Sequence, residues 1–279
     1  MKSKKILITA VSILAVNHGM AALSAYDPIV IGGAGNYTAG GVVGQNPTAL
    51  GFSTPWLNNG STISAVSTGL SYLNLQTTGG ALTTATDNSR NGRQLTTAFT
   101  DATSGTFYMS FLMSVNDPTI QGYRAIEFHS GGFDDGGNRK MQFGVNDGDL
   151  NGTTFGMRLD GRGEYRSALN TLLAPDVLTH LVVLKMDFST DSNADTVTTW
   201  FDPVSLGGAQ PGGSVTTFTG FDLRFDRFSM ARFVGGSDRT INADELRIGT
   251  TWADVTPVPE VSSSLLMGLA FLGFLRRKR

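Results

Sequence analysis

The chain has 279 residues, with 21 Lys and Arg against 23 Asp and Glu, 35 Gly, nine Pro and no Cys. Without cysteine there is no disulfide framework, no thiolate metal or iron–sulfur site and no thiol catalysis. A formal net charge of −2 argues against a nucleic-acid binder, which needs a basic surface for phosphates.

The first segment has the layout of an export leader. Lys2, Lys4 and Lys5 precede an apolar run over residues 6–16, and small residues follow through Ala25. The run is too short to span a bilayer and has the length of a secretory apolar region. A buried core helix is the competing reading. The order of charge, apolar run and small residues, starting at Met1, favours export. The expectation is a signal peptide over 1–25, carried by the Sec export machinery and cut by signal peptidase between Ala25 and Tyr26, with Leu23 at the −3 position.

Residues 26–255 read as one β-rich domain. Short runs of β-branched and aromatic residues alternate with Gly, Asn, Asp and Ser, the pattern of strands and turns. Strands are predicted at 106–115, 123–129, 140–145, 154–159, 179–188, 196–201, 222–234 and 243–249. Asp147-Gly148 and Asn151-Gly152 mark turns between the fourth and third of these. Residues 26–100 are less regular, with strands predicted near 71–75 and 95–99. Terminal strands of such folds pair with each other, so this part is expected to join the same sandwich. The fold class predicted is all-β: an antiparallel two-sheet jelly-roll sandwich, with an N-terminal signal helix and a short C-terminal apolar helix. The segments at 179–188, 200–203 and 241–255 resemble those of concanavalin A-like (laminin G-like) jelly rolls. That resemblance implies a jelly-roll domain of the kind found ahead of C-terminal sorting tails.

Candidate chemistry is sparse. A glycosidase needs two acids at a set separation, and the domain holds only Glu127, Glu164 and Glu245. No Glu-x-Asp-x-Glu motif is present, so these read as surface carboxylates. A pair formed by Glu127 and Glu164 across a cleft would mark an enzyme. His129 and His180 stand without a nucleophile motif, and no Gly-x-Ser-x-Gly elbow occurs. His180 opens a buried strand and reads as packed or hydrogen-bonded. Asp191, Asn193 and Asp195 place oxygens at alternate positions, as calcium loops do. Thr196 and Asp202 stand where such a loop has its Gly and its bidentate Glu, and hairpin turns use the same residues for backbone reasons. Calcium is the one cofactor this pattern raises, and the turn is the stronger reading. The acidic turn of Asp134, Asp135 and Asn138 is a second place of that kind. Trp56, Trp200 or Trp252, if exposed, would stack on sugar rings, although Trp252 reads as core.

The C-terminal segment, 256–279, has three parts: a Pro-rich break, an apolar stretch over 261–275 and the cluster Arg276, Arg277, Lys278 and Arg279. The cluster acts as a cytoplasmic stop by the positive-inside rule and by attraction to anionic lipid. The stretch is short for a span, which local bilayer thinning accommodates. Val258-Pro259-Glu260, the apolar stretch and the basic end resemble the PEP-CTERM sorting signal of Gram-negative bacteria, with Val261 in place of the family's second proline. The resemblance covers the last 22 or so residues. It implies an exosortase as partner, transient anchoring in the inner membrane, and release to the cell surface or extracellular matrix. A plain tail anchor is the alternative.

Setting the ends aside changes the charge. Residues 26–257 carry 14 cations and 22 anions, a net of −8. The function expected is a non-enzymatic, exported surface or matrix protein that binds polysaccharide through its jelly roll. The alternative is a glycosidase or lyase on the same scaffold.

Overall fold

The computed structural model describes residues 23–84, 88–100, 102–116, 122–133, 138–145, 155–159, 166–167, 176–191, 193–212, 216–233 and 239–259. The leader as far as residue 22, Asp134, Asp135, Glu164, Glu260, the apolar tail and Arg276–Arg279 lie outside these residues.

Alternating apolar residues make strands wherever a second strand can take up the backbone hydrogen bonds. The strands are β1 (Ala25–Asp27), β2 (Gly40–Gly41), β3 (Leu57–Asn58), β4 (Ser64–Val66), β5 (Ala81–Thr83), β6 (Ser89–Gln94), β7 (Gly105–Val115) and β8 (Tyr123–His129). They continue with β9 (Arg139–Val145), β10 (Phe155–Leu159), β11 (Arg166–Ser167), β12 (His180–Phe188), β13 (Asp195–Phe201), β14 (Thr216–Phe221), β15 (Arg227–Phe233) and β16 (Ile241–Gly249). A single helical turn, α1 (Trp252–Val255), follows, closed by a Thr251–Asp254 capping box.

The strands build two antiparallel sheets, the two layers of a jelly-roll sandwich. The first runs β14-β13-β12-β7-β16-β5-β4-β2, with β1 also on β16, and the second runs β11-β10-β9-β8-β15-β6-β3. The early region joins both: β1 and β5 pair with β16, and β6 pairs with β15. Between the sheets, alternate residues interdigitate. Phe111 of the first sheet meets Phe143 and Phe128 of the second, with ring centroids 5.4 and 6.4 Å apart. Each such buried ring contributes about 1.5–3 kcal/mol. This core holds the fold without covalent staples.

Three strand expectations are corrected. Residues 71–75 form a turn region, because Leu75 and its neighbours lie over the first sheet as a cover. The strand expected at 95–99 lies earlier, at β6, and Leu95 makes only an isolated bridge to Phe52. Of the strand expected over 222–234, only Arg227–Phe233 forms one, β15. Asp195 accepts the amide of Leu223 (2.9 Å), Asp222 takes Lys140 (2.9 Å), and the Asp226 amide binds the His129 carbonyl (2.8 Å). These bonds draw residues 222–226 off the first sheet and across to the second, with Leu223 and Phe225 buried in the core.

Candidate functional site

The two sheets differ on the faces turned away from the shared core. On β8, Ile126 and Phe128 point into the core, so Tyr123, Ala125, Glu127 and His129 take the opposite face. The register aligns Glu127 with Gln142 of β9 and Ser229 of β15, and Ala125 with Gly144 and Ala231. The result is a polar row beside a row of small residues.

Glu127 is the centre of this face. It is 0% exposed, yet it lies on the side away from the apolar core. Arg90 grips it with two nitrogens, Nε at 2.9 Å and Nη2 at 3.1 Å, the bidentate geometry that suits a carboxylate. Arg139 Nη1 lies 3.3 Å away, the Ser229 hydroxyl 3.1 Å and His129 Nε2 3.1 Å. The Tyr123 hydroxyl donates to Glu127, so its ring spans Ala125, the small residue between them. The same hydroxyl accepts from Arg139 (2.9 Å) and lies 2.7 Å from Gln142 Oε1. Burial alone would raise the Glu127 pKa. The His129 hydrogen bond and the Arg90 and Arg139 charges outweigh it and hold the carboxyl well below the usual range. Burial, with the ionised Glu127 beside it, pushes the Tyr123 phenol well above its ordinary value. Glu127 is therefore a fixed carboxylate and Tyr123 a fixed hydroxyl. Neither matches the raised-pKa carboxylic acid that a glycosidase uses as general acid.

Aromatic rings border the network. Phe233 is 37% exposed, lies over the Arg90 guanidinium (4.8 Å) and sits 5.8 Å from the Tyr123 ring. Phe133 packs on Gly92, where a Cβ would strike its ring, and its carbonyl accepts from Arg90 (3.1 Å). The aromatic edge of this face is thus built of Phe and Tyr. The tryptophans are not part of it: Trp56 lies in the core, and Trp200 and Trp252 are buried against each other, 5.2 Å apart, on the first sheet. The exposed-tryptophan reading is corrected accordingly.

The reading of the glutamates as solvent-facing carboxylates is also corrected. Glu127 and Glu245 are both buried and bonded. Glu245 sits in a β-bulge of β16 with φ +56° and accepts from Thr78, from the Tyr26 hydroxyl (2.8 Å) and from Arg247. Its neighbour Asp244 accepts the Leu70 amide (3.0 Å), and burial pushes its pKa up to about 8. Glu164 lies outside the described residues, so its separation from Glu127 is not part of this geometry.

The remaining site expectations fall as follows. Asp195 turns inward and accepts the amides of Ser189 (2.8 Å) and Leu223, while Asp191 accepts the amide of Asn193 (3.0 Å). Their alternate spacing serves the hairpin turn between β12 and β13. No group of three or more His, Asp or Glu able to hold a metal occurs among the described residues. His180 is hydrogen-bonded to Asp202 (2.7 Å) and Asp176 (3.0 Å). Ala25 and Tyr26 form part of β1. Val258 packs against Gly207, Pro257 accepts the Gln76 amide (2.8 Å), and Pro259 is exposed. No helix among the described residues is long and apolar enough to cross a membrane.

Sequence reasoning singled out Glu127 but missed Arg90, Tyr123, Arg139, Gln142 and Ser229. One signal was present: alternation over 123–129 puts Tyr123, Glu127 and His129 on one face with only Ala125 between them. Arg90 lies in a segment, 89–94, too polar to read as a strand.

No family model and no curated protein matches the chain. Among solved structures it is similar to the metal-free carbohydrate recognition domain of Emp46p, at 10% identity over 70% of this chain and 88% of that one, with a TM-score of 0.44. It is similar to lectin UEA-II complexed with galactose at 10% identity, over 70% and 92% of the two chains, with a TM-score of 0.42. A mutant of alginate lyase Aly36B, in complex with an alginate trisaccharide, aligns at 13% identity over 61% and 81%, with a TM-score of 0.37. At these values the likeness is one of general architecture, and no residue role is carried over from it.

Proposed function

We propose that this is an exported, exosortase-sorted surface or matrix protein that binds polysaccharide on the outer face of its second sheet. The observation that carries the binding reading is the Glu127 network beneath an exposed aromatic edge. A buried ion pair adds little net stability over an apolar replacement, so a five-partner network that fixes the base of an exposed aromatic edge points to recognition. Phe233 offers an exposed ring to a sugar beside the half-buried Tyr123, and the buried, internally bonded polar row holds that edge rigid. A glycan array on the purified protein, followed by calorimetry on the hits, tests this. Phe233→Ala is expected to weaken any hit at least tenfold; equal affinity in that variant overturns the site.

Export and sorting are supported by the sequence of the two ends. Deleting Arg276–Arg279 is expected to leave the protein unprocessed or in the wrong compartment, read by fractionation and mass; unchanged processing overturns the sorting reading. The alternative, a glycosidase or lyase, needs a proton donor and acceptor facing an open groove. The internal satisfaction of Glu127 and Tyr123 favours binding over cleavage. Incubation with a bound polysaccharide is expected to release no new reducing or unsaturated ends.

A further inference from the structure

We infer that Leu73, Val177, Leu178 and Val204 form a lipid-docking surface, which lies against the bilayer where the chain enters its C-terminal apolar stretch. The inference rests on the reading of that stretch as a membrane anchor. The loops that roof the first sheet pack Leu70, Tyr72, Leu75 and Leu206 onto it. Two aliphatics of the same loops stay outside: Leu73 is 67% exposed and Val204 85%. Val177 and Leu178, just ahead of β12, are 67% and 62% exposed. Leu73 also holds φ +44°, in a turn closed by the Leu75 amide on the Tyr72 carbonyl (2.9 Å). Glycine or asparagine takes that conformation more readily, so backbone geometry does not account for a leucine there.

Hydrogen bonds gather the three segments that carry these side chains. The Tyr72 hydroxyl donates to the Pro203 carbonyl (3.4 Å), joining the two loops one residue from Leu73 and one from Val204. Asp202, next to Pro203, lies 2.7 Å from His180 Nδ1, and His180 Nε2 lies 3.0 Å from Asp176. Asp176 in turn accepts the Leu178 amide (2.7 Å). The same two loops hold the end of the domain. The Gln76 amide donates to the Pro257 carbonyl (2.8 Å), the Gly207 amide donates to the Thr256 carbonyl (2.8 Å), and Gly207 packs against Val258. Leu73 and Val204 each stand three residues from one of these contacts. Glu260 alone separates Pro259 from the apolar stretch over 261–275. A residue reaches at most about 3.6 Å, so an anchored chain holds this end of the domain at the headgroups. Aliphatic side chains placed there leave water for the headgroup–acyl boundary. Residues 70–78, 176–181, 202–207 and 256–259 contain no Lys or Arg, so the contact is apolar insertion rather than attraction to anionic lipid. A second copy of the chain is the competing partner for an exposed apolar patch; the short tether decides for the bilayer.

The chain has no cysteine, so one introduced cysteine is a unique label site. The test reconstitutes the full chain into phosphatidylcholine vesicles with a fluorophore on Leu73→Cys, on Val204→Cys or, for reference, on Leu57→Cys in β3 of the other sheet. All three positions are exposed, where substitution leaves the fold standing. A lipid-borne quencher is expected to dim the labels at 73 and 204 at least threefold more than the label at 57, and aqueous iodide to show the reverse order. Equal iodide access at all three, in vesicles that carry the protein, overturns the inference and leaves the anchor reading standing. A chain that does not float with the vesicles overturns the anchor reading and the inference with it. Labels at 73 and 204 already shielded from iodide in detergent, in a particle of dimeric mass, overturn the inference in favour of a second copy. Val204→Asp is expected to raise iodide access to the label at 73 at least twofold without loss of flotation; an unchanged signal overturns the shared surface.

Discussion

The outer faces of the two sheets solve opposite problems. On the first sheet, Leu112, Leu181, Val183 and Trp200 face away from the main core. That face is apolar and has to be roofed. Leu70, Tyr72 and Leu75 from one loop, Leu206 from another, and Trp252 and Val255 of α1 supply the roof. On the second sheet the corresponding face carries Arg90, Tyr123, Glu127, Gln142 and Ser229 around one carboxylate. It satisfies itself by ion pairs and hydrogen bonds, and its edge can meet a ligand. An apolar outer face recruits chain to cover it. The polar one is covered as well, with Arg90, Glu127, Gln142 and Ser229 all buried, but charge and hydrogen bonds hold it together and Phe233 at its edge stays exposed.

The loop on the first sheet is held by a clasp on β16. Asp244 takes the Leu70 amide, and Glu245 takes Thr78. The two faces therefore answer differently to acid. Asp244 has a folded pKa raised to about 8. A carboxyl raised on folding contributes stability that is full below its unfolded pKa and is lost as pH climbs towards the folded value. Glu127 has the opposite sign: its folded pKa is lowered, so its stabilisation is present above the unfolded pKa and is lost only as the solution becomes strongly acidic.

Four measurements test the contrast between the two faces. The largest effect is expected from Glu127→Ala, which leaves Arg90 and Arg139 buried without their carboxylate. Breaking a buried pair from one side costs about 3–5 kcal/mol, read as a drop in the urea midpoint. A loss under 1 kcal/mol would mean that the polar face is not a tight network. Trp252→Ala removes the centre of the roof on the other face and is expected to cost about 3 kcal/mol, at the lower end for a large aromatic truncation, since the site lies near the surface of the fold. Unlike the Glu127 variant, it should expose Trp200 to quenchers in fluorescence. Next comes pH. Thermal stability is expected to fall between about pH 4 and 8 as Asp244 ionises, by about 1–2 kcal/mol in all, well short of the sum that ~1.4 kcal/mol per unit over the whole shift would give. His180, raised by Asp202 and Asp176 against its partial burial, adds a loss of the same sign as pH rises through its folded value. A flat profile over that range would remove the clasp from the argument. The smallest stability effect is expected from Phe233→Ala, under about 0.5 kcal/mol as a substitution at a partly exposed position. Its effect should appear in glycan binding alone, and a large loss of stability would recast Phe233 as a structural lid.

Much of the fold was legible because strand formation is local. The alternation at 123–129 and the runs rich in apolar and aromatic residues at 106–115 and 179–188 mark β8, β7 and β12 to within a residue or two. The segment at 222–226 was not legible: it alternates like a strand, but Asp195, Lys140 and His129 from other elements pull it across the sandwich. Segment 89–94 failed in the other direction. Its Arg, Asn and Ser are too polar for a strand by composition, and it becomes one because Glu127 and Asp27 wait on neighbouring elements to neutralise its arginines.

By itself the sequence determined that this chain is a cysteine-free, β-rich, acidic domain between two basic, apolar ends, because composition, charge order and alternation are properties of neighbouring residues. Tertiary structure alone decided which face a carboxylate occupies and what it meets there. Glu127 looks like any surface acid until β6, β9 and β15 bring Arg90, Arg139 and Ser229 to it from 37, 12 and 102 residues away. Ser24 and Ala25 read in the sequence as the end of a leader, and in the fold they pair with β16. In both cases the deciding partner is distant in the chain, and only closing those long loops turns a residue type into a role.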